Sequence, residues 1–182
     1  MEFKNCREDL KKFAHEILNV VLSRGRPVFL CVGSDKFVSD SVGPIVSELL
    51  RKKFNINAYV YGGVDYNINA TNLMQVVNYV DTVHCGSLVI VIDATLDERV
   101  GNIKLELGTF AGMGKCIPIK KIGGLSVLGV VGKNQKNFDL NSTRLKIVME
   151  LSEFIATGCA MAIRQYDIMK KSKKYSKTSN IV

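Results

Sequence analysis

The stretch Ser87 to Asp93, SLVIVID, is an unbroken apolar run that ends on a carboxylate. A half-exposed strand or a surface helix needs polar residues at regular intervals, and Leu88 to Ile92 supplies none. The run therefore reads as a strand covered on both faces, the kind found in parallel sheets with helical crossovers. Two shorter strands precede it, Pro27 to Val32 and Asn57 to Gly62. Between them lie helical patterns: Asp9 to Ser23 with Leu10, Phe13, Ile17, Val20 and Val21, then Ile45 to Phe54, then Thr71 to Thr82. Ile103 to Leu107 alternates like an edge or hairpin strand, Leu125 to Val131 is another apolar run, and Asn141 to Arg164 closes the chain as a long helix. This order predicts a three-layer α/β sandwich with a mixed, mostly parallel sheet and helices on both faces.

Residues 1–169 are expected to form one domain, and 182 residues are enough to bury a sizeable core. The net charge of +8 is concentrated at the end, where Lys170, Lys171, Lys173, Lys174 and Lys177 carry five of the eight excess positive charges. Residues 170–182 are polar and non-periodic, and read as a solvated, disordered basic tail. Contact of such a tail with nucleic acid or an anionic membrane is the weaker reading. No zinc finger or aromatic RNA-binding signature occurs, so no specific nucleic-acid partner is expected. No apolar run reaches the length of a membrane span, and the charged N-terminal residues do not resemble a secretory signal. The five cysteines include no C-x-x-C pair, which fits a reducing, cytoplasmic setting.

In open α/β sheets the ligand site lies beyond the carboxyl ends of the strands. Three loops are placed there: Gly33 to Val42, Gly62 to Asn72 and Asp93 to Gly101. They gather Asp35, Asp40, Asp65, Asp93, Asp97 and Glu98 at one edge. Two carboxylates at neighbouring strand ends can share a proton and divide the roles of general base and general acid. Asp40 has a competing reading as a helix N-cap, since Ser39-Asp40-Ser41 precedes Pro44. Asp35, Asp65 and Asp97 read more simply as solvated loop residues, and Asn72 equally as a cap or a substrate contact.

Other chemistries are disfavoured. After Gly33 the chain reads Ser-Asp-Lys-Phe-Val-Ser, without the second glycine and lysine of a phosphate loop. Gly124 to Gly129, GLSVLG, has one residue too many for a nucleophile elbow. His15 lies within the first helix and His84 at the amino edge of the sheet, so neither is placed to activate a nucleophile.

Taken together, VGSDKFVSDSVGP and VIVIDATLDERVGNIKL, with YGGVDYNINATNL, GGLSVLGVV and LNSTRLKIVMELSEFIATG, resemble the YyaC-type sporulation proteins of spore-forming Firmicutes, described as spore proteases. The resemblance covers roughly Val28 to Ile163. More distantly, the first two motifs are similar to those of the germination protease and the hydrogenase-maturation endopeptidases, which implies their α/β fold. By that resemblance Asp40 in SDSVGP and Asp93 in VIDAT match the proposed acid pair of the germination protease. Gly33, Ser34, Ser39, Asp65, Asn72 and Thr95 are then the expected substrate-binding set.

The maturation enzymes bind nickel with the help of a histidine that has no counterpart here. No cofactor is therefore expected, although a divalent cation held by the Asp40 and Asp93 oxygens stays open. The implied function is an endopeptidase or amidase acting on a protein made during sporulation, in the cytoplasm of the sporulating cell or forespore. The alternative is a peptidase fold without catalysis that binds a peptide or protein partner during spore formation. A homo-oligomer is left open.

Overall fold

The computed structural model of the protein describes residues 1–108, 124–135 and 138–178. Its elements in chain order are β1 (Glu2–Phe3), α1 (Arg7–Arg24), β2 (Val28–Cys31), α2 (Val42–Glu48), β3 (Tyr59–Tyr61), α3 (Leu73–Val83), β4 (Val89–Leu96), β5 (Ile103–Leu107), β6 (Leu125–Gly132) and α4 (Leu145–Thr178). A 3-10 turn, Val38–Asp40, leads into α2, and a π turn, Leu49–Lys53, extends it.

The strands form one six-stranded sheet in the order β1-β5-β6-β4-β2-β3. β3, β2, β4 and β6 run parallel to one another, while β5 runs antiparallel to β6 and to β1. The mixed, mostly parallel sheet is the expected one. β5 is not an edge, however, because the short N-terminal strand β1 covers it. Two residues are too few to show a periodicity, and Glu2 and Phe3 are fixed by their pairing with Lys104 and Ile103.

Alternation sorts the side chains onto two faces. Phe29, Ile90, Ile92, Val127, Phe13, Ile17, Val46, Leu151 and Ile155 form the larger core, beneath α1, α2 and α4. Val28, Leu30, Val89, Val91, Ile68, Val76, Val77 and Val80 form the smaller one, beneath α3. Each fully buried aliphatic side chain of this kind contributes roughly 1.5–3 kcal/mol by leaving water. Gly158 lets α1 come close to α4, since a Cβ there would run into the Phe13 ring.

Two boundaries differ from expectation in ways that matter below. β4 does not stop at Asp93 but continues to Leu96, because β6 is long enough to keep pairing with it, Ala94 to Gly129 and Thr95 to Val130. α4 does not end near Arg164. No glycine or proline follows Gly158, and lysine is a fair helix former, so the helix runs through Lys170 to Thr178.

Candidate functional site

The site is set by unequal strand lengths. β2 makes its last ladder pair between Cys31 and Ile92, and the Val32 amide still donates to Ile92 O at 2.8 Å. Asp93 is thus the first residue of β4 past the end of β2, where the chain leaving β2 turns away. Asp93 falls on the α3 face with Val89 and Val91, and Thr95, two residues on, shares that face.

The loop after β2 is held shut by its backbone. The Gly33 amide donates to Ile68 O at 2.7 Å, which ties in the loop after β3. The Ser34 amide donates to Asp40 O at 2.9 Å, and the Lys36 amide to Ser34 Oγ at 3.2 Å. Ser41 Oγ lies within donating distance of Phe37 O at 2.8 Å and Ser34 O at 3.2 Å. Gly33 sits at φ +134°, a region that favours glycine, and a Cβ on it would collide with the Asp40 carbonyl oxygen. Gly43 closes the other end: a Cβ there would strike the Val32 carbonyl.

This geometry bears on the capping reading of Asp40. The N-cap of α2 is Ser41, not Asp40. Asp40 ends the 3-10 turn, half-buried, and burial pushes its carboxyl up to about 6, with the Ser34 backbone N–H pulling the other way. Asp93 is 5% exposed. Burial holds its carboxyl well above the usual range, the Ala94 N–H to Oδ1 at 2.8 Å partly offsets this, and the negative charge of Asp40 raises it further. The charge of Asp40 is thus felt at Asp93.

The remaining expected residues divide. Gly33 and Ser34 build the loop that carries Asp40, and Ser34 is buried in it. Ser39 is buried, and its Oγ has no hydrogen-bond partner among the described residues. Asn72 braces the loop after β3, its Nδ2 donating to Asn67 O at 2.9 Å and its Oδ1 accepting from the Asn69 amide at 3.0 Å. Asp65 is exposed on that loop and its charge is felt by Lys52. Asp35, read as merely solvated, accepts from Asn67 Nδ2 at 2.6 Å and so links the two loops. Asp97 pairs with Lys104. His84 lies away from the acids at the start of β4, its Nε2 2.7 Å from the Tyr61 hydroxyl, and His15 is exposed on α1.

Sequence reasoning missed Asn67 and the clamp of Ser47 and Arg51. Ser47 Oγ donates to Gly62 O at 2.7 Å, and Arg51, swung round by the π turn, donates to the same carbonyl and to Ser47 Oγ at 2.5 Å. A π turn carries no sequence signature of its own, so only the asparagine-rich NINATN could have hinted at such a braced loop. Among the described residues no group of three or more His, Cys, Asp or Glu is gathered as a metal site. No described helix is long and apolar enough to cross a membrane.

The fold is α/β, with a mixed, mostly parallel six-stranded sheet and helices on both faces. The chain belongs to the family described as protein of unknown function DUF1256, whose model matches residues 2–158. It is 30% identical over 148 residues to YyaC of Bacillus subtilis (strain 168), described as uncharacterized, and the match spans 77% of this chain and 71% of that protein. It is also similar to the crystal structure of a [NiFe] hydrogenase maturation protease, HycI, from Thermococcus kodakarensis KOD1. That similarity has a TM-score of 0.43 and 16% identity, over 79% of this chain and 98% of the other.

Proposed function

We propose that this protein hydrolyses a peptide or amide bond with Asp40 and Asp93, acting on a protein made during sporulation. The observation that carries the reading is the pairing of a nearly fully buried carboxyl, Asp93, with a half-buried one, Asp40, each holding its proton more tightly than usual and Asp93 doing so partly because of Asp40. In this reading Asp40, whose carboxyl is pushed up to about 6, is the partner that ionises first, and Asp93, raised well above the usual range by burial, is the one that keeps its proton. Asp40 takes a proton from water as the oxygen adds to the carbonyl carbon. Asp93 gives its proton to the leaving nitrogen as the C–N bond breaks. Thr95, on the face of Asp93, and the unpartnered Ser39 hydroxyl are the polar groups proposed to meet the substrate. Asp65 and Asn72 are assigned to the rim and the frame.

The test is incubation of the purified protein with candidate spore proteins, with and without a chelator. Cleavage that survives the chelator and disappears in both Asp40→Asn and Asp93→Asn is the expected result. Loss of cleavage on chelation would instead place a hard cation on the carboxylate oxygens. Binding of a spore protein without any cleavage would replace this reading by one of a peptidase fold that only binds.

A further inference from the structure

The C-terminal part of α4 does no work for the core. Tyr166, 6% exposed, is its last buried residue among those described, whereas Ile168 is 62% exposed and Lys170, Lys171 and Ser172 face solvent. The helix nevertheless continues to Thr178, about 18 Å beyond Tyr166 at 1.5 Å per residue. It leaves the body at the amino edge of the sheet, opposite the aspartates. Arg26, just ahead of β2, donates to Asp167 Oδ1 at 2.5 Å, and Arg164 donates to Phe54 O at 3.1 Å.

Ile155, Cys159, Ile163 and Tyr166 are the core-facing stripe of α4. Continued at the same spacing of three and four, that stripe becomes Lys170, Lys173, Lys174 and Lys177. In the sequence, the positions at that spacing thus pass from apolar residues to lysines. No acidic residue follows Asp167, so nothing within the segment offsets them. Every residue from Lys170 to Thr178 is Lys, Ser, Tyr or Thr, all types that contact phosphate oxygens. None is Arg, Asn or Gln, which most often read base edges in pairs of hydrogen bonds. None is Leu, Ile, Val, Phe or Trp, so the segment lacks the apolar face that seats a helix in a lipid interface. A bare helix fits the roughly 12 Å major groove of B-DNA, while the deep, narrow groove of A-form RNA excludes it.

We propose that the projecting end of α4 docks on duplex DNA through its phosphates, without sequence preference. The experiment is fluorescence anisotropy of a labelled random-sequence duplex against the full chain over a range of salt. Five lysine–phosphate contacts predict a slope of log affinity on log salt of about −4 to −5. A scrambled duplex should bind equally well, and Asp40→Asn should change nothing, which keeps this result separate from that of the hydrolysis test. Replacing Lys170, Lys173, Lys174 and Lys177 together by Gln should reduce the slope by about 3 to 4 and weaken binding at low salt at least ~10-fold. A chain ending at Met169 should lose the binding likewise. No binding at low salt, unchanged binding by the quadruple variant, or tighter binding to duplex RNA or to phosphatidylserine vesicles would each overturn the proposal.

Discussion

Asp40 and Asp93 differ in how much water reaches them, and that difference gives opposite expectations for the two asparagine variants. Burial opposes ionisation of Asp93, and in the proposed reading it keeps its proton, so Asp93→Asn exchanges one neutral group for another and should leave stability nearly unchanged. Asp40 has a folded-state value of about 6, above its ordinary 3.8. A carboxyl raised in this way contributes its full stability below the unfolded value and loses it as pH rises through the folded one. Asp40→Asn should therefore melt like the parent protein below about pH 4 and be more stable at pH 7, by about 1 kcal/mol once the partial exposure of the group is allowed for. Both variants should lose hydrolysis entirely. If cleavage is present, its rate should rise through about pH 6 as Asp40 ionises and fall again when Asp93 gives up its proton, giving a bell-shaped profile. Asp93 was legible in the sequence because a carboxylate closing an apolar run has few structural uses. Asp40 stood out only beside the family resemblance, because Ser39, Asp40 and Ser41 are all good capping types; the structure puts Ser41 at the N-cap position of α2.

The connection from β2 to α2 is the element on which the site depends. Gly33 and Gly43 stand at its two ends, each against a carbonyl oxygen from the other end of the connection. Gly33→Ala should cost at least ~2 kcal/mol, combining a side chain at positive φ with a collision against the Asp40 carbonyl. Urea denaturation would measure it, and a loss under ~0.5 kcal/mol would mean that the loop relaxes freely. The parallel strands and the helices between them were visible in the sequence, because burial on both faces leaves continuous apolar runs. The ends of elements were not, since a neighbour sets them: β6 draws β4 past Asp93, and β5 brings β1 into the sheet. The basic C-terminal stretch shows the same limit. Its lack of apolar periodicity read as disorder, yet lysines tolerate a helix that the preceding core residues have already started. Removal of residues 171–182 should leave the melting temperature within error, because Tyr166 is the last buried residue among those described. A fall of several degrees would show that the extension docks on the body.

At the scale of the whole molecule the aspartates and the basic helical extension stand toward opposite edges of the sheet. Asp35, Asp65, Asp97 and Glu98 lie in the loops at the carboxyl edge, with Asp40 at the end of its 3-10 turn and Asp93 within β4 beside them. Arg26, Arg164, Lys170 and Lys171 lie toward the amino edge, where α4 departs. Such a separation gives the protein a permanent axis that survives at any pH where lysines and exposed carboxylates are charged. The helical extension is consequently a built-in handle. On a sulfonate resin the molecule should adsorb foot first, by the extension, with the edge that carries Asp40 and Asp93 turned to the mobile phase.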